Sequence, residues 1–337
     1  MNRISWVNRK DVDAIKISEN INECIESKHF TNGGKHVKNL QNKIKKILEI
    51  DEDKEVLMTC NGAVGINALI GCFNSVYNKK LKFAVQAFTF PCSHQCYLDD
   101  SIILDIDDNM GPDINKLNEL KDQYDGVLIT NCFGCTVNIE LYEDFCKKNN
   151  KILLFDNAAS PFTIYNGKNL LNYGDGCIIS LHHTKPIGFG EGGAIIINKK
   201  YINQLEKIIC FGYSQTDKYN YDIYASNYKM SEISAIYISQ WLDNFDLIKN
   251  KHHDLISYFI KKINEKNSTI KLFKSYTMYE NQLMSTIPVL FNKHTSINKS
   301  FNNIEAKKYY FPLDKNCINS VNIFDHIICF PLNLDIL

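Results

Sequence analysis

A single lysine stands in a glycine-rich segment between hydroxyl and imidazole side chains. The segment runs Ser180-Leu181-His182-His183-Thr184-Lys185-Pro186-Ile187-Gly188-Phe189-Gly190-Glu191-Gly192-Gly193. The apolar residues 194–197 follow it directly and predict a strand. A lysine on a tight turn with so little bulk around it is a candidate nucleophile for Schiff-base chemistry. Lys185 is therefore the first candidate functional residue.

The same glycines match the GxGxxG fingerprint of dinucleotide-binding folds, from Gly188 to Gly193. That fingerprint requires a strand before it and a helix after it, whereas here a strand follows. A turn that needs positive φ angles and a close approach of the backbone to a ligand explains the glycines better. We expect a ligand pocket at this turn and no dinucleotide site.

Length and composition indicate a globular protein with room for one large domain and one smaller domain. Of its 337 residues 45% are hydrophobic, which is enough to bury a large core. Lys plus Arg and Asp plus Glu both number 38, so no net charge favours nucleic acid or an anionic membrane. The N-terminus has no apolar core, and no stretch approaches the roughly 20 apolar residues of a membrane span. We expect a cytoplasmic protein without nucleic-acid or membrane partners.

The twelve cysteines raise the question of a zinc site. Cys132 and Cys135 have the spacing of one zinc knuckle, but Cys92 and Cys96 do not supply a matching second pair. A thioredoxin-like motif would open a helix, whereas Cys132 follows a strand-like run. We interpret the cysteines as reduced, buried, small hydrophobic residues and predict no metal.

Helical and strand-like patterns alternate along the chain, which is typical of α/β architecture. Strands are predicted at residues 56–58, 82–87, 101–104, 126–130, 151–155, 176–180 and 194–198. Helices are predicted at residues 37–48, 62–74, 115–121, 139–149, 202–209, 231–249 and 252–264. Most of these strands are apolar throughout, so helices should cover both faces of a mostly parallel sheet. We expect a large domain over residues 1–235 and a smaller C-terminal α+β domain over residues 236–337.

Three further features point to a site near Lys185. Asp156 ends an apolar strand, at the edge of an α/β sheet where ligands bind, and its carboxylate suits a cationic ring nitrogen. The turn Asn61-Gly62-Ala63 precedes a helix and offers backbone N–H groups to a phosphate. Phe90 follows another strand end and suits a flat heterocycle. Each feature also has an ordinary structural explanation: a strand-end turn, an Asn helix cap or a core aromatic ring.

Taken in order, these segments resemble the DegT/DnrJ/EryC1/StrS family of sugar aminotransferases over residues 30–337. The segments similar to the family's motifs are Phe30-Thr31-Asn32-Gly33-Gly34, Asn61-Gly62-Ala63-Val64, Thr89-Phe90, Asp156, Ser180 with Lys185, Gly190-Glu191-Gly192-Gly193 and Ser226-Asn227-Tyr228-Lys229-Met230.

The resemblance implies the fold-type-I architecture of aspartate aminotransferase and pyridoxal 5′-phosphate as cofactor. It implies that Lys185 forms the Schiff base and that Asp156 pairs with the pyridinium nitrogen. The other cofactor-binding residues that it implies are Asn61, Gly62, Ala63, Phe90, Ser180 and, from the partner subunit, Asn227. It therefore also implies a homodimer with shared active sites.

Three residues depart from the family's pattern. Ala63 replaces a Thr or Ser, so the backbone must provide more of the phosphate binding. Ala159 stands where the family often has Gln or His beside the cofactor's 3-hydroxyl. Lys229 replaces an arginine, which keeps the charge but loses planar, bidentate pairing.

The resemblance implies L-glutamate as donor and a nucleotide-linked 4-keto-6-deoxyhexose as acceptor, with UDP, dTDP and GDP all open. His182 and Glu191 fit the pattern of members that aminate C4, and His182 and Lys229 are the expected substrate residues. Three alternatives remain: amination at C3 of a 3-ketosugar, a dehydrase of the kind that carries histidine in place of Lys185, and a catalytically silent scaffold or regulatory protein.

Overall fold

The computed structural model describes residues 3–214, 219–265, 270–279, 282–297 and 303–333. Its helices are α1 (Ala14–Ser27), α2 (Lys35–Ile47), α3 (Gly62–Val76), α4 (Ile114–Glu119), α5 (Ile139–Asn149), α6 (Ile202–Ile209), α7 (Glu232–Leu242), α8 (Phe245–Glu265) and α9 (Ile318–His326). Its strands are β1 (Lys54–Thr59), β2 (Phe83–Gln86), β3 (Ile102–Leu104), β4 (Gly126–Thr130), β5 (Ile152–Asp156), β6 (Ile164–Tyr165), β7 (Lys168–Asn169), β8 (Gly176–Ser180), β9 (Gly193–Asn198), β10 (Ile270–Leu272), β11 (Thr286–Phe291) and β12 (Ile327–Pro331).

Seven strands form a central sheet in the order β1-β9-β8-β5-β4-β2-β3. β9 runs antiparallel to both of its neighbours, and the pairs from β8 to β3 are parallel. Separate clusters of buried apolar side chains cover the two faces, which is why these strands are apolar along their whole length. The sheet confirms the predicted α/β fold with a mostly parallel sheet.

The parallel strands bring their carboxyl ends to one edge of the sheet. β4 ends at Thr130, β5 at Asp156 and β8 at Ser180. β1 ends at Thr59, and α3 begins at Gly62 after a short turn. Ligands of open α/β sheets bind at this edge, so the topology gathers the predicted site residues there.

The C-terminal part adds a second, antiparallel sheet in the order β10-β11-β12. The start of the chain joins this part, because the amide of Ile4 donates to the carbonyl oxygen of Asn303 at 2.8 Å and the amide of Glu305 donates to that of Ile4 at 2.9 Å. Residues 235 and 236 both lie within α7, which packs against α1 and α2. The two-domain division stays a prediction.

Two helical predictions were wrong in position. The helices predicted at 231–249 and 252–264 are α7 and α8, and the break between them lies at Asp243 and Asn244. The amide of Asp243 donates to the carbonyl oxygen of Gln240 at 3.1 Å, three residues back instead of four, and α7 ends at this tighter turn. The structure also contains α1 and α9, which the pattern did not predict. α1 begins where the carboxylate of Asp13 accepts the amides of Ile15 and Lys16.

Candidate active site

A cavity of about 600 Å³ lies at the carboxyl edge of the central sheet. That volume is within the range of small-molecule pockets. The cavity brings together eight of the ten predicted site residues, which are Asn61, Gly62, Ala63, Phe90, Asp156, Ser180, His182 and Lys185. Residues from four strand ends and the glycine-rich turn therefore share one space.

Lys185 lies on a tight turn between β8 and β9. Its amide donates to the carbonyl oxygen of His182 at 2.8 Å, and the amide of Gly188 donates to the carbonyl oxygen of Lys185 at 3.1 Å. Gly190 has a φ of 62°, the left-handed conformation that favours glycine. β9 follows at Gly193, so the structure has a strand where a dinucleotide fingerprint needs a helix.

The side chain of Lys185 is only partly exposed, and burial lowers the pKa of its amine, against the opposing effects of Asp156 and Cys92. A lowered pKa leaves a larger share of the lysine as the neutral amine near pH 7. The neutral amine is the nucleophilic form, so the surroundings activate Lys185 for attack on a carbonyl.

Asp156 is 2% exposed at the end of β5. Its carboxylate accepts the amide of Ala158 at 3.0 Å and the hydroxyl of Ser93 at 3.5 Å. Behind it, the hydroxyl of Thr89 lies 3.0 Å from that of Ser93 and 2.6 Å from that of Thr130. Burial raises the pKa of Asp156 because these contacts and Lys185 offset only part of the lost hydration. A cationic partner in the cavity would stabilise the charged form.

The turn between β1 and α3 presents the start of a helix to the cavity. Asn61 caps α3, since its side-chain oxygen accepts the amide of Val64 at 3.0 Å. The amides of the first helical turn have no partner inside a helix, which makes this end attractive to an anion. Gly193 lets β9 approach, because a Cβ there would lie 2.5 Å from the carbonyl carbon of Asn61.

The residues and their arrangement match a known family. The model of the DegT/DnrJ/EryC1/StrS aminotransferase family fits residues 12–318. The chain belongs to this family. It is a family of enzymes that depend on pyridoxal phosphate, and sugar aminotransferases are among its members. The predicted family and enzyme class are therefore confirmed.

Relatives of this chain in the family match it over most of their length. The dTDP-4-amino-4,6-dideoxy-D-glucose transaminase of Shigella dysenteriae is 22% identical and aligns over 92% of this chain and 89% of that protein. The GDP-perosamine synthase of Vibrio cholerae is 21% identical over 93% of this chain and 86% of its own.

A solved structure of a related fold carries the cofactor. The GDP-4-keto-6-deoxy-D-mannose-3-dehydratase of E. coli, with bound hydrated PLP, superimposes with a TM-score of 0.82 at 16% identity. The match covers 99% of this chain and 96% of that one. At this identity the likeness shows the shared fold, which serves amination in some proteins and dehydration in others.

His182 and Glu191 are the pair expected in members that act at C4. Both line the cavity, and their side chains lie next to each other. Nε2 of His182 lies 3.6 Å from a carboxylate oxygen of Glu191, and Nδ1 accepts the amide of Thr184 at 3.1 Å. Ser180 lies behind them, where its hydroxyl accepts the amide of His182 at 3.3 Å. These contacts hold the imidazole in the same turn as Lys185, three residues before it.

Two predicted residues do not line the cavity of the single chain. Asn227 is exposed and pairs with Cys210 in an isolated bridge. Lys229 points its side-chain nitrogen at the ring of Phe211, 4.1 Å from the centroid, where the nitrogen is buried without a hydrogen-bond partner among the described residues. The roles expected of Asn227 across a dimer and of Lys229 at the substrate stay predictions.

The two alanines that depart from the family's pattern both line the cavity. Ala63 is exposed to it and Ala159 is buried in its wall. Phe90, which is 52% exposed, also borders it, so one aromatic face is available to a flat ligand.

Several cavity residues were missed by the sequence reasoning. Trp6, Lys307, Tyr309 and Tyr310 reach the cavity from the two ends of the chain. The run Lys307-Lys308-Tyr309-Tyr310 was a compositional signal for a binding edge, but nothing in the sequence placed it beside Lys185. Trp6 gave no signal because it lies far from every motif in the chain.

The cysteines are all free, and eight of the twelve are buried, whereas Cys96 and Cys210 are exposed and Cys60 and Cys92 are partly exposed. In the described parts of the chain, no group of three or more His, Cys, Asp or Glu side chains is placed to hold a metal ion. Among these same residues no helix is both long and apolar enough to span a membrane.

Proposed function

We propose that this protein transfers an amino group from L-glutamate to C4 of a nucleotide-linked 4-keto-6-deoxyhexose, with pyridoxal 5′-phosphate as its cofactor. The product would be a 4-amino-4,6-dideoxy sugar of the viosamine or perosamine type. One observation carries the proposal: Lys185 and Asp156 line the same cavity, one as an amine with a lowered pKa and the other as a buried carboxylate. Pyridoxal phosphate, when bound, supplies a carbonyl for the amine and a ring that accepts electrons.

The cavity residues fit this cofactor. Asp156 is buried without a cation at hydrogen-bond distance among the described residues, and a protonated ring nitrogen would be that cation. The start of α3 at Gly62 fits the phosphate, with backbone amides in place of the hydroxyl that Ala63 lacks. Phe90 offers a ring face to the heterocycle.

Lys185 has two tasks in this proposal. Its amine would be the nucleophile that holds the cofactor at its carbonyl carbon. When free, the same amine would take the proton from the α-carbon of the donor and deliver it to the cofactor's C4′, so that the amino group stays on the cofactor. Both tasks require the neutral amine, which the burial of Lys185 favours. Asp156 keeps the ring nitrogen protonated, because a carboxylate in a buried site holds a nearby cation strongly.

The choice of amination over dehydration rests on the identity of residue 185. The dehydrases of this family carry a histidine there, whereas this chain has a lysine that can form a Schiff base. The choice of C4 rests on His182 and Glu191 and is supported by the names of the two relatives described above, both of which make 4-amino sugars.

A homodimer is part of the proposal. The segment that carries Asn227 exposes Phe211, Tyr213, Tyr221 and Ile223, each at least 46% accessible. Exposed aromatic and apolar side chains in such number close to one another in the chain are typical of a surface that another protein covers. A second subunit there would bury these side chains and bring Asn227 to its partner's phosphate turn.

The test is to identify the product. Purified holoprotein would be incubated with glutamate and each of the UDP-, dTDP- and GDP-linked 4-keto-6-deoxyhexoses, and the product analysed by NMR. We expect an amine at C4 with one nucleotide preferred. An amine at C3, or loss of a hydroxyl without amination, would overturn the proposed reaction. A protein that binds no cofactor would be a scaffold.

A further inference from the structure

Three buried hydroxyl groups lie in a row behind the carboxylate of Asp156, and the chemistry proposed above does not use them. Oγ of Ser93 lies 3.5 Å from a carboxylate oxygen of Asp156. The hydroxyl of Thr89 lies 3.0 Å from that of Ser93 and 2.6 Å from that of Thr130. We call Ser93, Thr89 and Thr130 the hydroxyl chain.

Two strand ends and one tight turn place the hydroxyl chain. Thr130 ends β4 directly opposite Asp156 at the end of β5, because the two strands are paired in parallel. Thr89 and Ser93 belong to the segment after β2, where the amide of Ser93 donates to the carbonyl oxygen of Phe90 at 3.1 Å. Phe90 lines the cavity, whereas Thr89 and Ser93 lie behind the cavity wall. The same turn therefore presents an aromatic ring to the cavity and hydroxyls to the buried carboxylate.

Gln86 fixes the distance between the two segments that carry the hydroxyl chain. Its side-chain oxygen accepts the amide of Thr130 at 3.1 Å, and its side-chain nitrogen donates to the carbonyl oxygen of Phe88 at 2.9 Å. Gln86 is itself buried at the end of β2. The contact between Thr89 and Thr130 is therefore supported by the core of the sheet.

The hydrogen bonds of the hydroxyl chain run in one direction while Asp156 is charged. Each hydroxyl has one proton to donate, and a charged carboxylate can only accept. Ser93 therefore donates to Asp156, Thr89 donates to Ser93 and Thr130 donates to Thr89. The opposite direction would leave the proton of Thr130 without an acceptor among the described residues. A hydrogen bond to a charged group is stronger than one to a neutral group, so this arrangement favours the charged carboxylate.

This contribution opposes the effect of burial on Asp156. Burial raises the pKa of Asp156, and the amide of Ala158, the charge of Lys185 and the hydroxyl of Ser93 each lower it. At 3.5 Å the contact from Ser93 is long, so we expect it to be weaker than an ideal hydrogen bond to a carboxylate.

We propose that Ser93, supported by Thr89 and Thr130, is a positioning residue that keeps the carboxylate of Asp156 charged and in place for the cofactor's ring nitrogen. The inference rests on the proposed function, because the cofactor supplies that nitrogen. Ser93 acts through Asp156, so removing its hydroxyl makes the carboxylate a stronger base. The proton between the two groups then moves from the ring nitrogen towards the carboxylate.

The first test asks whether Ser93 acts through Asp156. The affinity of the full-length protein for pyridoxal phosphate would be measured by equilibrium dialysis in wild type, Ser93→Ala, Asp156→Asn and the double variant. Ser93→Ala should weaken binding by about fivefold, the loss typical of one hydrogen bond. In the Asp156→Asn background it should weaken binding by less than about twofold, because the charge on which it acts is gone. An equal loss in both backgrounds would overturn the proposal.

The second test observes the ring nitrogen itself. NMR of the protein loaded with cofactor that is isotopically labelled at the ring nitrogen reports what share of that nitrogen is protonated. Ser93→Ala should lower this share at constant pH. Ser93→Thr keeps the hydroxyl and should stay closer to wild type. A signal in Ser93→Ala that is identical to that of wild type would contradict the proposed role.

A matched variant and a second route guard against indirect effects. Ser160 is also buried, four residues after Asp156, but its hydroxyl donates to the carbonyl oxygen of Asn131 at 2.8 Å. Ser160→Ala should leave the ring-nitrogen signal unchanged. Thr89→Val removes the supporting hydroxyl and should weaken cofactor binding by about twofold. Should Ser93→Ala fail to fold, which circular dichroism would show, Thr89→Val decides the matter by the same two measurements.

The outcomes separate this inference from the proposed function. If wild type binds no pyridoxal phosphate, the proposed function fails and the inference fails with it. If wild type binds it but Ser93→Ala matches wild type in affinity and in the ring-nitrogen signal, the inference is wrong and the proposed function stands. No sugar takes part in either measurement, so a different sugar substrate would leave the role of Ser93 intact.

Discussion

The side-chain nitrogen of Lys10 donates a hydrogen bond of 2.6 Å to the backbone carbonyl oxygen of Lys185. It donates a second to the carbonyl oxygen of Gly188 and lies 5.3 Å from the ring centroid of Trp241. The indole of Trp241 donates to the carbonyl oxygen of Pro186 at 2.9 Å. Two side chains from distant segments thus fix the backbone of the turn that carries the candidate nucleophile.

Lys10 should make stability depend on pH. Burial lowers its pKa to about 7 in the folded protein, whereas in the unfolded chain it titrates near 10.5. Between these values the unfolded chain binds more protons, so the free energy of unfolding rises with pH by up to about 1.4 kcal/mol per unit. Lys10→Met removes this contribution. Urea unfolding at pH 7, 8 and 9 should show wild type gaining stability relative to the variant.

Neighbouring groups do not mask this effect. Burial is the cause of the lowered pKa of Lys10, and the charge of Lys10 acts on two histidines, His183 and His252. Burial lowers the pKa of both histidines, that of His252 to about 3. Lys16→Met, which removes an exposed lysine from α1, should keep the slope of wild type. Equal pH slopes in Lys10→Met and wild type would show that Lys10 does not titrate in this range.

The contact between Lys10 and Lys185 also marks the limit of sequence reasoning. The turn from Ser180 to Gly193 was predictable because its strands, glycines and lysine are neighbours in the chain. Asp156 could be assigned to the same site as Lys185 because parallel strands end at one edge of a sheet. Lys10 lies 175 residues before Lys185 in the chain, so no local sequence pattern could predict the contact between them. The break between α7 and α8 was misplaced for a similar reason, since only two residues interrupt the helical period.

Asp156→Asn should have opposite effects on the cofactor-free and cofactor-loaded protein. Burial raises the folded pKa of Asp156, so its charged form costs stability at any pH above that pKa. Asparagine removes the charge, and the cofactor-free variant should unfold at a higher urea concentration at pH 7, with a gain of about 1 kcal/mol. Cofactor retention should fall by about tenfold or more, because the ring nitrogen loses its counter-ion.

Equilibrium dialysis would measure retention, and urea unfolding the stability. Asp156→Glu keeps the charge and should retain part of the cofactor affinity and turnover. Full turnover and unchanged cofactor affinity in Asp156→Asn would show that this carboxylate only ends a strand.

Lys185→Ala should reduce amine transfer from glutamate to background while the protein keeps its fold. The side chain faces the cavity, so its truncation enlarges that space without opening a packed core. Turnover would be followed by product formation, and the fold by circular dichroism and thermal unfolding. Lys185→Arg keeps a positive charge but lacks a nucleophilic amine and should be equally inactive. Measurable turnover in Lys185→Ala without added amine would contradict its assignment as nucleophile.

A mixture of two inactive variants tests whether Asn227 acts across a dimer. Asn227 is exposed and does not line the cavity of its own chain, so its expected task lies in the partner's site. In a hybrid of Lys185→Ala with Asn227→Ala, one site carries both changes and the other carries neither. Activity of the mixture should therefore exceed that of either parent, up to about half the wild-type activity per hybrid dimer because one of its two sites is intact.

Two controls make the result decisive. Subunit exchange must be demonstrated by mass spectrometry of differently tagged chains, and Asn227→Ala alone must be impaired. Ser226→Ala, a change at the neighbouring exposed position, should retain activity and should gain nothing from mixing with wild-type chains. If demonstrated hybrids show no recovery, Asn227 serves its own subunit, and the phosphate site must be completed by residues of one chain.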